Sequence, residues 1–210
     1  DNIPKYIDSC EGLNMLIMSK LKGEKLKKVS NYHVDLIIEN MIQLKRKSLN
    51  LANGLDISDA SDSMVNPLEA AIKILNRLND EINIADRVFK HSIKDYLYWL
   101  REELLVCIKS IENNVSAGGS EGNQVFSFSD VGVHNCIILN GKLQYFDFEH
   151  SGWDNPMKQI GDWLLCPRNR IDNRTSAYLV ERYLYEWPKP LYMIEISRCL
   201  PIINIKWNLL

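Results

Sequence analysis

The amino-acid sequence predicts an α+β protein that is mostly helical and carries a small β-hairpin near its centre. Apolar residues recur at helical spacing in several long stretches on both sides of residues 125–148. Within that range lie three short runs of β-forming residues, VFSFS, CIIL and KLQYFDF. The last two are joined by Asn140-Gly141, the residue pair most typical of a two-residue hairpin turn.

Length and composition are those of a soluble globular protein. The 210 residues are 46% hydrophobic and 25% charged, which is enough apolar side chain for a sizeable core. The formal net charge of −2 argues against a general nucleic-acid or membrane-surface binder, because such proteins normally carry a basic excess. No apolar run approaches the roughly 20 residues needed to span a bilayer. Without a signal-peptide pattern, a cytoplasmic location is the default expectation.

The five cysteines are widely spaced and contain no C-x-x-C pair. This pattern predicts free thiols in a reducing compartment, and neither a disulfide framework nor a zinc site.

The first part of the chain is predicted to form a hairpin followed by a helix. Residues 3–10 and 13–19 are short apolar runs separated by Glu11-Gly12, as in an antiparallel hairpin. A polar connector, KLKGEKLKK, then leads to a helix over about residues 30–49. Its apolar positions are Val34, Ile37, Ile38 and Met41.

Two longer helices are predicted next. Asn66 can cap a helix, Pro67 suits the first helical position, and Glu69 can complete a capping box. The predicted buried stripe of this helix is Leu68, Ala71, Ile72 and Leu75. The longest helix is predicted over about residues 92–114. Its apolar face comprises Ile93, Tyr96, Leu97, Leu100, Leu104, Ile108 and Ile111.

The remaining chain combines the β runs with closing helices. Residues 116–123, SAGGSEGN, have the composition of a flexible loop. After the β runs, helices are predicted at about 156–166, 174–187 and 190–207.

Three polar residues are expected to converge at the open end of the central hairpin. With Asn140-Gly141 as the turn, Leu139 lies opposite Lys142, and counting back places Asn135 opposite Phe146. Asn135 and Asp147 then emerge together, since opposed and diagonal positions lie roughly 4.5–8 Å apart. Asp130 lies on the short loop that enters the same end.

This trio suits phosphoryl transfer from a nucleotide. Mg²⁺ binds a few hard oxygen ligands and keeps waters and phosphate oxygens for its remaining positions. Asn135 and Asp147 supply such oxygens, while Asp130 can accept the proton of the attacking hydroxyl. The pattern is that of kinase catalytic loops, D-x-x-x-x-N followed by Asp-Phe.

The spacing of Asp and Asn is a weak signal when taken alone. Asp35 and Asn40 match it too, within a predicted amphipathic helix, where solvated side chains are expected. The preceding strand, the hairpin and the Asp-Phe ending favour Asp130 and Asn135 as the functional pair.

The segments SDVGVHN and GKLQYFDFEHSGWDNPMKQIGDWLLCP resemble the catalytic core of the aminoglycoside phosphotransferase and choline kinase-like family. The resemblance implies a protein-kinase-like C-lobe, with Asp130 as catalytic base and Asn135 and Asp147 as Mg²⁺ ligands. It also implies that Asp162 supports the catalytic loop without itself touching the metal ion or the substrate.

The start of the chain, LNMLIMSKLKGEKL, resembles the last N-lobe strand and the hinge of that family. Residues 1–25 would then be the end of the nucleotide-binding N-lobe with its hinge, and residues 26–210 the helical C-lobe. Backbone groups at Met18, Ser19 and Leu21 would contact the adenine of ATP.

Two departures from the family pattern bear on activity. The family usually begins this loop His-Gly-Asp, whereas here Phe128 and Ser129 precede Asp130. The glycine-rich strand pair and the phosphate-contacting Lys are expected before Asp1. We therefore expect the 210-residue chain to be a fragment that is inactive alone.

Two main functions follow from these patterns. The first is an ATP- and Mg²⁺-dependent kinase that phosphorylates a hydroxyl of a sugar, an aminoglycoside or an amino alcohol. The second is a non-catalytic kinase-like binding or scaffold protein. A metal-assisted phosphohydrolase is a third, weaker option. Neither nucleic acid nor membrane is expected as a partner.

Several other residues keep two interpretations each. His134 could touch phosphate or pack the loop. Glu149 could face the nucleotide phosphates or anchor a turn. The tryptophans that could line an acceptor pocket, or equally fill the core, are Trp153, Trp163 and Trp187.

Overall fold

The computed structural model describes residues 5–10, 15–20, 22–51, 56–88, 92–113, 124–187 and 190–209. The strands of this part are β1 (Tyr6–Cys10), β2 (Met15–Met18), β3 (Glu24–Lys25), β4 (Val125–Ser127), β5 (Cys136–Leu139), β6 (Lys142–Tyr145) and β7 (Gly152–Asp154). Its α-helices are α1 (Asn31–Leu51), α2 (Pro67–Val88), α3 (Ser92–Asn113), α4 (Pro156–Leu165), α5 (Asn173–Glu186) and α6 (Pro190–Asn208). The predicted mostly helical α+β class is confirmed. The loop predicted at 116–123 lies outside the described residues.

The central hairpin has the predicted register. β5 and β6 are antiparallel, with Leu139 opposite Lys142 and Cys136 opposite Tyr145. Asn140 and Gly141 have φ angles of 52° and 70°, the two positive values that a type I′ turn requires. The N-terminal hairpin is confirmed as well, because β1 and β2 pair antiparallel.

Two strands were not predicted from the sequence. β3 lies within the segment interpreted as a polar connector, and it pairs with β5 through Glu24 and Ile138. β7 pairs antiparallel with β4, just before α4 begins. Each is only two or three residues long, so the partner strand rather than an alternating pattern decides its conformation.

The core forms where α4 packs on α6, α2 and α3 pack on α6, and α1 packs on α5 and the strands β4 and β6. The four apolar positions predicted for α1 are all buried. The stripes predicted for α2 and α3 are too wide, because Ile72, Ile93 and Tyr96 are exposed. α2 and α3 pack mainly against each other and against α6, so each needs only a narrow apolar face.

Helix starts agree with the capping residues in the sequence. The Asn66 side chain accepts hydrogen bonds from the backbone N–H groups of Leu68 and Glu69 at the start of α2. Asn155 caps α4 in the same way. Across the described ranges, no helix is long and apolar enough to cross a membrane. Within the described ranges, Cys107, Cys136, Cys166 and Cys199 are not joined in disulfides.

Candidate active site

The loop between β4 and β5 begins with an unusual backbone conformation at Ser129. Its φ of 62° lies in the left-handed region that favours glycine, the residue usual at this position in the family that the loop resembles. The Ser129 N–H donates to the Ser127 hydroxyl at 3.0 Å, and the Asp130 N–H donates to the Phe128 carbonyl at 2.8 Å. These bonds turn the chain sharply just before Asp130.

Both carboxylate oxygens of Asp130 are held by neighbouring side chains. Nε2 of His134 lies 3.1 Å from Oδ1, and the Asn135 amide nitrogen donates to Oδ2 at 3.1 Å. The same amide nitrogen also donates to the Asp130 backbone carbonyl at 3.0 Å. The Asp130 side chain remains 36% exposed, so an acceptor hydroxyl could still approach it.

Charge couples His134 to Asp130. The hydrogen bond from His134 lowers the pKa of Asp130 below its ordinary range, although partial burial opposes the effect. In return, the hydrogen bond to Asp130, with a smaller effect of Cys166, raises the pKa of His134 to about 9. At neutral pH the pair is therefore an ionised carboxylate beside a protonated imidazole. Of the two interpretations of His134, the structure shows a loop contact, and that contact is with Asp130 itself.

Asp147 lies at the open end of the hairpin, as predicted. The Phe146 N–H donates to the Asn135 carbonyl at 3.1 Å, which extends the β5–β6 pairing by one step and brings Asn135 next to the 146–147 segment. Asp147 is exposed and has a φ of 70°. Asp is among the residues that adopt this conformation most readily after glycine.

The oxygen donors of Asn135 and Asp147 fit a magnesium ion. Because the Asn135 amide nitrogen is used by Asp130, its amide oxygen is the atom left for a cation. Among the described residues, no group of three or more His, Cys, Asp or Glu side chains could hold a metal ion. A site with two protein oxygens suits Mg²⁺, which keeps waters and phosphate oxygens as its other ligands.

Phe128 occupies the position at which the family usually has histidine. Its ring lies 4.7 Å from the Tyr145 ring and 5.0 Å from the Phe148 ring, measured between centroids. Phe128 thus connects the Asp130 loop to the Asp147 segment by aromatic packing where a histidine would use hydrogen bonds.

A cavity close to the Asp130 loop does not have the polar trio in its lining. It has a volume of about 590 Å³ and lies between α1 and β6. Phe128 and Phe148 line it, whereas Asp130, Asn135 and Asp147 do not. The cavity thus borders the two segments through their aromatic rings.

Asp162 is fully buried and contacts the loop only through another residue. Its Oδ1 accepts a hydrogen bond from the Trp207 indole at 3.0 Å, and its Oδ2 lies 2.6 Å from the Lys158 ammonium. The bracing that the resemblance implied for Asp162 is thus indirect.

Asn169 is a structural residue of the site that the sequence did not indicate. Its side-chain oxygen accepts from the Val133 N–H at 2.9 Å, and its amide nitrogen donates to the Trp163 carbonyl at 2.8 Å. The Val29 N–H also donates to the Asn169 carbonyl. The fully buried Asn169 therefore ties the loop that carries Asp130 to α4 and to the segment before α1. An Asn shortly after a Pro is common in turns, so the sequence did not indicate that Asn169 binds the Val133 N–H.

Two of the residues expected to contact adenine, Met18 and Ser19, lie at the end of the N-terminal hairpin. Met18 ends β2, while Leu21 lies outside the described residues. The Ser19 N–H donates to the Lys5 carbonyl at 2.8 Å, so this amide already belongs to the N-terminal hairpin. The Glu149 side chain is 72% exposed, at a turn where it lies 3.4 Å from His150.

Two of the three tryptophans belong to the core. Trp163 and Trp187 are buried, and Trp187 stacks on Tyr183 with a centroid distance of 4.6 Å. Trp153 is half-buried and packs edge-on against Phe126. Asp35, in the second Asp-Asn pattern, is exposed on α1 and pairs with Arg182.

Comparison of the sequence with family models and with curated proteins gave no match. Solved structures do match over nearly the whole chain. An ADP-bound aminoglycoside phosphotransferase, APH(2'')-Ib, is 14% identical with a TM-score of 0.55, covering 98% of this chain and 76% of its own. A choline kinase from Cryptosporidium parvum is 12% identical with a TM-score of 0.60, covering 100% of this chain and 67% of its own. An ethanolamine kinase from Plasmodium vivax is 16% identical with a TM-score of 0.56, covering 99% and 61%.

At these identities the matches establish the fold. The chain has the protein-kinase-like α+β fold of the aminoglycoside phosphotransferases and the choline and ethanolamine kinases. The expected resemblance is thereby confirmed at the level of structure. Function has to be argued from the site, because one fold can support several activities.

Proposed function

We propose that this chain carries the catalytic loop of an ATP- and Mg²⁺-dependent phosphotransferase, which moves the γ-phosphate to a hydroxyl of a small molecule. The observation that supports it most is the Asp130 carboxylate, whose two oxygens are held by His134 and Asn135. The fold is shared with small-molecule kinases, one of them solved with ADP and another with ATP and streptomycin.

In this proposal Asp130 is the general base. It accepts the proton of the acceptor hydroxyl as the oxygen attacks the γ-phosphorus and ADP leaves. Its two hydrogen bonds keep the carboxylate oriented, and the hydrogen bond from His134 lowers the pKa of Asp130 below its ordinary value. Orientation of this kind is where a phosphotransferase gains most of its rate, because the protein takes little part in covalent chemistry.

Asn135 and Asp147 would hold the magnesium ion through their side-chain oxygens. When bound, Mg²⁺ neutralises phosphate charge that grows as the γ-phosphoryl group is transferred. The exposure of Asp147 leaves room for the waters and phosphate oxygens that complete the coordination of this ion.

We further propose residues 1–25 as the end of a nucleotide-binding lobe with its hinge, and residues 26–210 as the C-lobe. Backbone groups at Met18, Ser19 and Leu21 would face adenine. Because the Ser19 N–H donates to Lys5 within the hairpin, the proposal assigns the Ser19 contact with the base to its carbonyl. The acceptor would be a sugar, an aminoglycoside or an amino alcohol. The last two classes are those named for the matching structures.

A non-catalytic kinase-like binding protein is the alternative. Phe128 favours it, because an apolar ring replaces the polar residue usual at this position of the loop. The alternative predicts ATP or ligand binding without turnover.

The test uses the full-length protein with Mg²⁺-ATP and a panel of sugars, aminoglycosides and amino alcohols, and measures ADP release. Asp130→Asn should lower kcat by about 10²–10⁴-fold, because it removes the base without changing shape. Asp35→Asn is the matched control, since Asp35 occupies the same Asp-Asn spacing on the exposed face of α1. An unchanged kcat in Asp130→Asn would exclude the proposed base.

A further inference from the structure

Lys158 is a fully buried lysine in α4, and nothing in the proposed chemistry uses it. Its side chain has 0% exposure, so it cannot reach nucleotide or acceptor. A lysine is rarely buried in this way unless it is paired, because its ammonium group loses water on burial. Its position therefore calls for a role inside the protein.

Two buried carboxylates compensate the Lys158 charge. Asp162 Oδ2 lies 2.6 Å from Nζ, one turn further along α4, and Asp154 Oδ2 lies 3.6 Å away, at the end of β7. Burial lowers the pKa of Lys158, but the two carboxylates outweigh this effect and raise it above its ordinary value. The ammonium therefore stays protonated with all of its N–H donors in place.

The other donors of Lys158 go to a single residue of the catalytic loop. Nζ donates to the Ser129 carbonyl at 2.9 Å and lies 3.3 Å from the Ser129 hydroxyl. Ser129 is the residue in the left-handed conformation directly before Asp130. That conformation is unfavourable for a side chain other than glycine, so it needs support from its surroundings.

We propose that Lys158 is a positioning residue: by holding both oxygens of Ser129, it keeps the left-handed turn that directs Asp130 toward its reaction partner. The charge on Asp162 and Asp154 keeps Lys158 in place, so α4 and the loop form one unit. The effect on catalysis rests on the proposed phosphotransferase function. The effect on the loop backbone does not, and it can be measured separately.

The two principal variants in the full-length protein are Lys158→Met and the double variant Lys158→Met/Ser129→Gly. Methionine keeps the length of the side chain and removes the donors. Glycine adopts positive φ without strain, so the second variant removes the need for the support that Lys158 gives. Gln159→Leu is the matched control, because Gln159 is the next residue of α4 and donates to the Phe126 carbonyl, before the loop.

Two quantities are measured. The first is hydrogen exchange of the backbone amides of residues 127–135, followed by mass spectrometry of the peptides. The second is kcat and KM for Mg²⁺-ATP with the acceptor found in the screen. Lys158→Met should speed exchange in this segment and lower kcat by about tenfold or more with little change in KM, because a small displacement of the base is sufficient for such a loss. Gln159→Leu should change neither quantity.

Ser129→Gly in the Lys158→Met background should slow exchange again. It should also raise kcat at least about threefold above that of Lys158→Met, as expected for two coupled residues. A role of Lys158 in general stability alone would give no such rescue. If Lys158→Met does not fold because Asp162 is left unpaired, Lys158→Met/Asp162→Asn replaces it in both comparisons. Asn at 162 still accepts the bond from Trp207.

Faster exchange that Ser129→Gly reverses supports the proposal. Unchanged exchange of residues 127–135 in the folded variants overturns it, and so does an absence of rescue. A wild-type protein without phosphate transfer would refute the proposed function, while the exchange experiment would still decide the role of Lys158.

Discussion

The rings of Phe128 and Phe148 lie 5.0 Å apart, at an interplanar angle of 53°. Phe128 is two residues before Asp130, and Phe148 directly follows Asp147. The contact therefore joins the two segments whose carboxylates are assigned to base and metal. It is a packing contact, so its contribution depends on ring shape and area rather than on charge.

Removing the Phe128 ring should loosen both segments. We expect Phe128→Ala to lower the free energy of unfolding by about 2–4 kcal/mol, less than for a fully buried Phe because this ring is partly exposed. The Mg²⁺ concentration for half-maximal activity should rise, since Asp147 loses its support. Urea unfolding and a Mg²⁺ titration measure the two effects. Tyr185→Ala, at a ring that is 76% exposed, should leave both unchanged.

His134 should make stability depend on pH. Its pKa is about 9 in the folded protein and 6.5 without its partners, so the protonated form is favoured by folding. This stabilisation is fully present below pH 6.5 and is lost as the pH rises through about 9. His134→Gln should therefore cost more stability at pH 6 than at pH 9.5, by about 1–3 kcal/mol. Urea unfolding of the metal-free wild type and variant at the two pH values measures the stability lost in each case. A loss at pH 9.5 as large as that at pH 6 would contradict the raised pKa of His134.

Asp147 should affect metal binding without affecting the fold. Asn adopts positive φ about as readily as Asp, so Asp147→Asn keeps the backbone and removes the charge. The Mg²⁺ concentration needed for activity should rise by at least about tenfold, whereas the unfolding midpoint should stay the same because the side chain is exposed. Glu149→Gln is the control two residues away. An equal rise in that variant would mean that Glu149 faces the metal or the phosphates instead of a turn.

Gly152 should not tolerate a side chain. A Cβ at this position would meet backbone atoms of the 58–60 segment, including Ala60 N at 2.5 Å. The same segment is bonded to β7, since the Ala60 N–H donates to the Trp153 carbonyl at 2.9 Å. Gly152→Ala should lower the free energy of unfolding by more than about 2 kcal/mol, because backbone cannot move aside as a side chain can.

Gly161→Ala is the comparison for that prediction. A Cβ at Gly161 would meet the end of the Ile203 side chain, at 2.6 Å, and this side chain can change rotamer. The thermal unfolding midpoint of Gly161→Ala should therefore fall less than that of Gly152→Ala. Equal losses would show that β7 can shift away from the 58–60 segment.

Much of the structure around the proposed site was predictable, because turns, strand register and helix caps depend on residues close together in the sequence. The Asn140-Gly141 turn sets the register of β5 and β6, and this register pairs the Asn135 backbone with Phe146, the residue before Asp147. Cap residues and apolar spacing gave the helices to within a few residues, as at Asn66 and α2. The widths of the apolar stripes were overestimated at Ile72 and Tyr96, since spacing alone does not say how many neighbours a helix has.

The sequence by itself determined the α+β class and the hairpin, because turn chemistry and spacing act over a few residues. A magnesium site shared by Asn135 and Asp147 stays a prediction. Only the tertiary structure decided what surrounds Asp130. Lys158 meets Ser129 across 29 positions of the chain, and Asn169 meets Val133 across 36. Packing between distant segments decides which groups are removed from water together. Burial, charge compensation and the raised pKa of His134 all depend on that packing, which local sequence rules do not contain.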